Sequence, residues 1–270
     1  MWALRRSGRD PRAAVWWTWC PAVWLECGNN AHIDVLGILL LVGAWGLLAR
    51  AGPSRPVAAG ALFGAAVAVK LVPALVAPAL LVRRGHRVLA AAAAAFVVGY
   101  VPHVAFVGTD VLGYLPGYLD EEGYSGAQRF GVLRVLVPDD VAPVLAAAIG
   151  AAMAVWVWRR AGAHPSAEDA VLLVGVAFVL VGPSQPWYGL LIVALAVLAD
   201  RPIWLAVAAA AYPVYQAGNL EVDNTAVQQW SYLLALGVVV AGSWMAKGRR
   251  DALQRLLGHR PLPRSAAHHR

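Results

Sequence analysis

The sequence predicts an all-α protein, a polytopic membrane bundle of about ten helices with both termini on the cytoplasmic side. Of its 270 residues, 60% are hydrophobic and 14% are charged, and its mean hydropathy is +0.61. Soluble domains carry about 25% charged residues. Long apolar runs alternate with short charged segments, and the charge of those segments alternates in sign along the chain. Together these observations indicate a chain that crosses a membrane repeatedly.

The apolar runs between charge clusters define the predicted helices. Some of these runs are shorter than the roughly 20 residues that a full crossing needs. The predicted helices are 13–25, 35–49, 57–69, 71–82, 88–107, 141–158, 171–182, 187–199, 203–216 and 230–246.

The segments that join these helices form two alternating sets. The first set comprises 5–12, 50–56, 83–87, 159–170, 200–202 and the residues from Lys247 onward. The second comprises 26–34, the break at Lys70, 108–140, 182–186 and 217–229. Only three of the 22 Lys and Arg residues, but ten of the 15 acidic residues, fall in the second set. The positive-inside rule therefore places the first set in the cytoplasm, and we divide the chain into a helical membrane domain, 1–246, and a basic cytoplasmic tail, 247–270.

Two pairs of short helices are predicted to form hairpins. If 57–69 and 71–82 were one broken helix, the basic segments at their ends would lie on opposite faces, so a hairpin with Lys70 at its tip is favoured. The pair 171–182 and 187–199 has the tip "GPSQPWY", whose prolines interrupt helices. Irregular backbone at membrane depth needs protein or water around it. The long segment 108–140 is expected to form short helices on the membrane surface.

The stretch "ECGNNAHID" places four polar candidates at the start of a membrane helix: Glu26, Asn30, His32 and Asp34. Asp34 alone can also be explained as an N-terminal cap of the following helix. The other three are not, and ionisable groups in membrane helices are often functional. A carboxylate and an imidazole at this position suit proton transfer, so Asp34 and His32 are the predicted catalytic residues.

Two cations on the acidic side are candidates for binding a phosphate. Lys70 has apolar residues on both sides, and it either extends towards the lipid headgroups or meets a ligand phosphate. Arg129 either pairs with one of the carboxylates Asp120, Glu121 and Glu122 or clamps a phosphate.

The tip "SQPWY" supplies Gln185, Trp187 and Tyr188. The two aromatic residues suit either an interfacial belt or stacking on a sugar, and Gln185 suits binding of hydroxyl groups. The sequence has no convincing metal-ligand spacing and no Gly-rich phosphate loop, so we predict no metal and no cofactor. Because its basic residues are dispersed between apolar runs, we predict no nucleic-acid partner.

Four motifs in order resemble a known family: "WCPAVWLECGNNAHIDVLGILLLVGAW", "AAGALFGAAVAVKLVPALVAPALLVRRG", "VLGYLPGYLDEEGYSGAQRF" and "PSQPWYGLLIVALAVL". They are similar to actinobacterial polyprenyl-phosphate-mannose-dependent mannosyltransferases, which are membrane glycosyltransferases of the GT-C class. The similarity runs from about Trp2 to about Leu198.

The resemblance implies a GT-C-like fold, a polyprenyl-phosphate sugar as donor, a glycolipid or glycan as acceptor, and inversion at the anomeric carbon. It implies a multi-pass protein of the plasma membrane, in contact with membrane lipid, whose site faces the extracytoplasmic side. By position, residues 26–34 match the family's second external polar motif, Lys70 its basic hairpin residue, and 185–188 its late external motif.

One departure bears on activity. The family's general base is an aspartate in a first external loop, and the resemblance implies that this chain lacks that loop and the helices around it. The sequence is then a fragment or has a mis-assigned start, or another chain completes its site, or it does not catalyse. Asp34 is the candidate to replace the base. A lipid-linked sugar transporter is the alternative from another class, because broken helices and intramembrane charges also mark transporters.

Overall fold

The computed structural model describes residues 1–49, 55–81, 85–124 and 128–258. Within these ranges every regular element is helical, so the predicted all-α class is confirmed. The α-helices are α1 (Trp2–Arg6), α2 (Val15–Thr18), α3 (Pro21–Val23), α4 (Asp34–Leu48), α5 (Pro56–Val69), α6 (Ala77–Leu80), α7 (His86–Val107), α8 (Leu115–Glu121), α9 (Ala142–Arg160), α10 (Ala167–Val181), α11 (Gly189–Ala199), α12 (Leu205–Ala209), α13 (Ala211–Asn219) and α14 (Asn224–Gly258). Shorter 3₁₀ segments are Pro11–Ala14, Val72–Val76, Gly108–Leu112, Gln128–Phe130, Leu133–Val135, Pro186–Tyr188 and Pro202–Trp204, and Trp24–Asn29 forms a π-helix.

Three predicted helices are not continuous in the structure. The predicted helix 13–25 is a series of short pieces, because Pro21 lacks a backbone donor and begins a new helix. The predicted helix 71–82 is a 3₁₀ segment followed by the single turn α6, each with a proline in its first turn. The predicted helix 203–216 breaks at Ala210, and Pro213 lies three residues beyond that break.

Other boundaries differ from the prediction at the termini. The predicted loop 5–12 contains the end of α1, and α14 begins six residues before the predicted 230 and continues past 246. The long segment 108–140 does contain short helices. Parts of the predicted segments 50–56, 71–82, 83–87, 108–140 and 247–270 lie outside the described residues.

Helices α4, α5 and α7 form a layer of tightly packed neighbours. Gly37 of α4 lies beside the last part of α5, whereas Gly43, further along α4, lies beside an earlier part of α5. The two helices are therefore antiparallel. Gly60 and Gly64 of α5 lie so close to the backbone of α7 that an added Cβ would stand 2.3 and 2.1 Å from its carbonyl oxygens. This spacing of small residues permits close helix contact.

The direction of α7 shows how the chain turns at Lys70. Gly60 faces Val88 and Gly64 faces Ala92, so α5 and α7 run parallel. The chain between them must therefore return from one end of the layer to the other. The structure thus agrees with a reversal of the chain at Lys70. The segment that follows, Val72–Val76 and α6, packs chiefly against α9 and α10.

Helix α11 lies at the centre of the bundle. All of its residues are buried, and it packs against α10, α12 and α4. Eleven residues of α-helix span only about 16 Å, about half of a bilayer's hydrocarbon core. Helix α11 is therefore a core element that the surrounding helices enclose.

Three helices are long and apolar enough to cross a membrane: His86–Leu112, Ala142–Arg160 and Asn224–Lys247. At most 17% of the residues in their apolar windows are buried inside the protein, so most of their surface is available to lipid. The pair Pro21–Asn29 and Asp34–Leu48 also passes the length and composition test together, but it is bent by 117°.

Polar contacts collect at two opposite ends of the α4–α5 layer. At one end, called here the basic end, Arg9 and Arg201 lie 3.5 and 3.2 Å from Glu168, and Arg160 lies 2.9 Å from Asp169. These ion pairs join three segments of the predicted cytoplasmic set. At the other, called here the site end, the segments 26–34, 182–186 and 217–229 and the break at Lys70 converge.

Candidate functional site

The first feature of the site end is an ion pair between two helix termini. Asp34 is the first residue of α4 and Lys70 follows the last residue of α5, and these helices are antiparallel, so the two side chains meet. The Lys70 Nζ lies 2.8 and 2.9 Å from the two carboxylate oxygens of Asp34. The N-cap of α4 is Ile33, whose side chain makes no capping hydrogen bond. The Asp34 carboxylate therefore binds Lys70 and does not act as the N-cap of α4.

The aromatic ring of Tyr188 covers this ion pair. The Lys70 Nζ lies 4.2 Å from the ring centroid, which is a close cation–π contact. Asp34, Lys70 and Tyr188 line a cavity of only about 10 Å³, which is no larger than one water molecule needs. The side chain of Lys70 nevertheless remains 24% exposed. A substrate that reaches Asp34 must therefore displace neighbouring side chains.

A second cluster surrounds the carboxylate of Glu26, which is only 3% exposed. One oxygen accepts a hydrogen bond from the Tyr212 hydroxyl at 2.9 Å, and the other accepts one from the Asn30 amide at 3.0 Å. The His32 Nε2 lies 3.5 Å from that second oxygen. Glu26 belongs to the π-helix Trp24–Asn29, an irregularity that occurs often at functional sites. The buried carboxylate thus orders the loop that carries His32.

Trp187 connects the two clusters. Its ring stacks on that of His32, with 4.0 Å between centroids and an angle of 25° between planes. The Tyr215 ring meets it edge-on, with 5.9 Å between centroids. Trp187 is therefore part of a packed aromatic group, and His32 already occupies one face of its ring.

Arg129 and Gln185 share the carboxylate of Glu122. The Gln185 amide donates to Glu122 at 2.8 Å, and Arg129 forms an ion pair with the same side chain. Arg129 is only 6% exposed, and it also donates to the Gly182 carbonyl at 3.4 Å. The structure thus has the ion pair that was one of the two interpretations of Arg129. Within the described residues, the buried Oε1 of Gln185 has no hydrogen-bond partner.

Helix α14 anchors the loop 182–186, which carries Gln185. The Gln228 amide donates to the Gly182 carbonyl at 2.5 Å, and the Tyr232 hydroxyl donates to the Pro183 carbonyl at 2.6 Å. Gly182 has a φ of +56°, a conformation that favours glycine. The loop before Gln185 is consequently anchored by buried hydrogen bonds.

The structure brings all nine predicted site residues to the site end in three linked groups. They are Glu26, Asn30, His32 and Trp187; Asp34, Lys70 and Tyr188; and Arg129 with Gln185. Sequence reasoning missed Tyr212 and Tyr215, which it treated as part of an apolar helix. Their spacing of three residues beside Pro213 was the available signal, since such positions share a helix face.

A sequence model of glycosyltransferase family 87 matches residues 1–183. The match includes the Glu26 cluster, the Asp34–Lys70 pair and Arg129, and it ends just before Gln185. No curated protein and no solved structure matches the chain.

Proposed function

Because the chain belongs to glycosyltransferase family 87, we propose that it moves a hexose from a polyprenyl-phosphate sugar to a glycolipid or glycan acceptor. The sequence resemblance favours mannose as the hexose and the extracytoplasmic face as the place of transfer. The observation that carries this proposal is the Asp34–Lys70 pair, at a helix terminus beside the Glu26–His32–Trp187 cluster. A carboxylate and a cation thus lie beside an imidazole and an indole ring, which are groups that could hold a sugar, and this supports the proposal.

The proposed reaction begins with an exchange of ionic partners. The donor phosphate binds the ammonium group of Lys70, and the carboxylate of Asp34 is released. The acceptor hydroxyl then attacks the anomeric carbon as the bond from that carbon to the phosphate oxygen breaks. Asp34 takes the hydroxyl proton, Lys70 stabilises the charge on the departing polyprenyl phosphate, and the product sugar has the inverted configuration.

The remaining predicted residues bind the sugar in this proposal. Glu26 orients Asn30 and His32, and the ring of His32 stacks on that of Trp187. His32 presents its imidazole to the sugar or acceptor hydroxyl, and the face of Trp187 away from His32 supports the sugar ring. The Oε1 of Gln185, which has no partner in the described part of the chain, accepts a hydrogen bond from a sugar hydroxyl.

Arg129 has a different role in this proposal from Lys70. It is more deeply buried than Lys70 and is bound to Glu122 and to the Gly182 carbonyl. Moving it to a ligand would leave the Glu122 carboxylate buried without its charge partner, which is costly. In this proposal Arg129 holds the loop that carries Gly182 and Gln185 in place. Lys70 is the residue that binds the phosphate.

A transporter of lipid-linked sugars is less well supported. Alternating access requires a site near the membrane midplane. The polar groups described above gather instead at one end of the α4–α5 layer, which suits a substrate that meets the site from one side of the membrane.

The test is sugar transfer by the full natural protein in membrane vesicles, with labelled polyprenyl-phosphate mannose or glucose as donor. Asp34→Asn is expected to lower transfer about 100-fold or more, because it removes the base. Asp223→Asn is the matched control, since Asp223 is an exposed carboxylate outside the clusters. Transfer that survives Asp34→Asn would contradict the assignment of the base, and no transfer from either donor by the unmodified protein would contradict the proposed donor class.

A further inference from the structure

A cavity of about 520 Å³ lies at the basic end, which is the end of the helix layer opposite the candidate site. It is lined by Leu81 and Leu89, which are apolar, by Trp158, and by the basic side chains of His86 and Arg159. His86 begins α7 and Arg159 lies in the last turn of α9. The cavity therefore lies between the basic ends of two candidate membrane-spanning helices.

Arg159 differs from Arg9, Arg160 and Arg201, the arginines that form ion pairs at this end. Arg9 and Arg201 pair with Glu168, and Arg160 pairs with Asp169. Among the described residues, Arg159 forms no ion pair. No carboxylate in the described ranges pairs with its guanidinium group, and Arg159 lines a cavity large enough for a ligand headgroup.

The surroundings of the cavity identify the chemical class of its ligand. Only 11% of the apolar window of α7 and 17% of that of α9 are buried inside the protein, so most of the surface of both helices is available to lipid. Leu89 and Trp158 are exposed by 55% and 61%. A ligand here meets the Arg159 guanidinium and the His86 imidazole at one end and exposed apolar helix surface at the other. This arrangement suits a phospholipid with a negative headgroup. Basic pockets between membrane helices bind such headgroups.

We propose that this cavity is a binding site for an anionic phospholipid, with its phosphate on Arg159 and His86 and an acyl chain along α7 and α9. Trp158 lies at the level of the headgroup, as aromatic residues at membrane interfaces do. The site is separate from the groups assigned to sugar transfer. It concerns how the protein associates with its lipid surroundings, and it stands or falls independently of the proposed activity.

Native mass spectrometry of the full chain tests this site, with phosphatidylglycerol and phosphatidylcholine offered in turn. The protein is expected to retain phosphatidylglycerol preferentially, and Arg159→Gln is expected to weaken that binding roughly fivefold. Arg5→Gln is the matched control, because it removes an exposed charge at the same end that lines no part of this cavity. Leu89→Trp, at an exposed position, should fill the cavity and weaken binding without a change of charge.

The proposal is overturned if Arg5→Gln weakens phosphatidylglycerol binding as much as Arg159→Gln, because general surface charge would then explain the binding. Equal retention of phosphatidylcholine would also overturn it. Inorganic phosphate should not displace the bound lipid. Full displacement by phosphate would identify a site for a soluble anion and contradict the lipid assignment.

Discussion

Single residues at the site end are held by partners that come from distant parts of the chain. Tyr212 donates to Glu26 across 186 positions of sequence, and Lys70 reaches Asp34 across 36. The buried Glu26 carboxylate depends on its contact with Tyr212, because a buried polar group without hydrogen bonds is costly inside a protein. The order of the His32 loop therefore rests on Tyr212, a residue with no proposed contact to the reacting groups.

Tyr212→Phe tests this dependence. It removes one hydrogen bond to Glu26, and we expect it to lower the free energy of unfolding by about 1–3 kcal/mol, since a charged acceptor loses its donor. The measurement is chemical unfolding in detergent micelles. Tyr215→Phe is the matched control, because Tyr215 contacts Trp187 through its ring, which phenylalanine keeps. Equal losses in the two variants would contradict a specific role for the Tyr212 hydroxyl.

Among the helices, the contact between α5 and α7 depends on glycine. An added Cβ at Gly64 would stand 2.1 Å from the Ala92 carbonyl oxygen, whereas one at Gly150 of α9 would meet no atom within 4 Å. This contrast gives a prediction about packing that is independent of activity.

Gly64→Ala should lower stability by about 1–3 kcal/mol, because α5 and α7 must separate to make room. Gly150→Ala should raise it by about 0.5–1 kcal/mol, because alanine suits an open helix position better than glycine. Thermal unfolding of the two variants in the same detergent compares them directly. A stabilised Gly64→Ala variant would contradict the close parallel packing.

How well an element could be predicted from the sequence depended on its prolines and on its surroundings. The apolar runs gave α4, α5, α7 and α9 to within two residues of the observed bounds, and α7 continues through an internal proline, Pro102. The runs around Pro21, Pro73 and Pro213 were predicted as single helices and are broken in the structure. A hydropathy pattern shows which residues avoid water, but it does not show where a missing backbone donor divides a helix.

The candidate site was only partly predictable for a related reason. Polar residues within apolar runs, such as Asp34, Lys70 and Gln185, stand out from their neighbours in the sequence. Their mutual contacts depend on the antiparallel arrangement of α4 and α5 and on the loop held by α14. Tyr212 gave little signal, because a tyrosine in an apolar run is also ordinary core packing.

At the scale of the whole molecule, the described parts of the two sets of joining segments that charge predicts form ion pairs at opposite ends of the α4–α5 layer. Ion pairs with Glu168 join segments of the basic set. Segments of the acidic set are joined by the contacts of Lys70, Glu122 and Gln185. The proposed lipid site and the proposed site of sugar transfer therefore lie at opposite ends of this layer. This separation is consistent with substrates that approach from one side.

The central claim is that Lys70 exchanges Asp34 for a donor phosphate. The most direct measurement is a cryo-electron-microscopy structure of the full natural protein in lipid nanodiscs with a polyprenyl-phosphate sugar bound. The account predicts the phosphate within hydrogen-bond distance of Lys70 Nζ, with the Asp34 carboxylate freed towards the anomeric carbon. A bound donor whose phosphate lies elsewhere, with the Asp34–Lys70 pair intact, would contradict it.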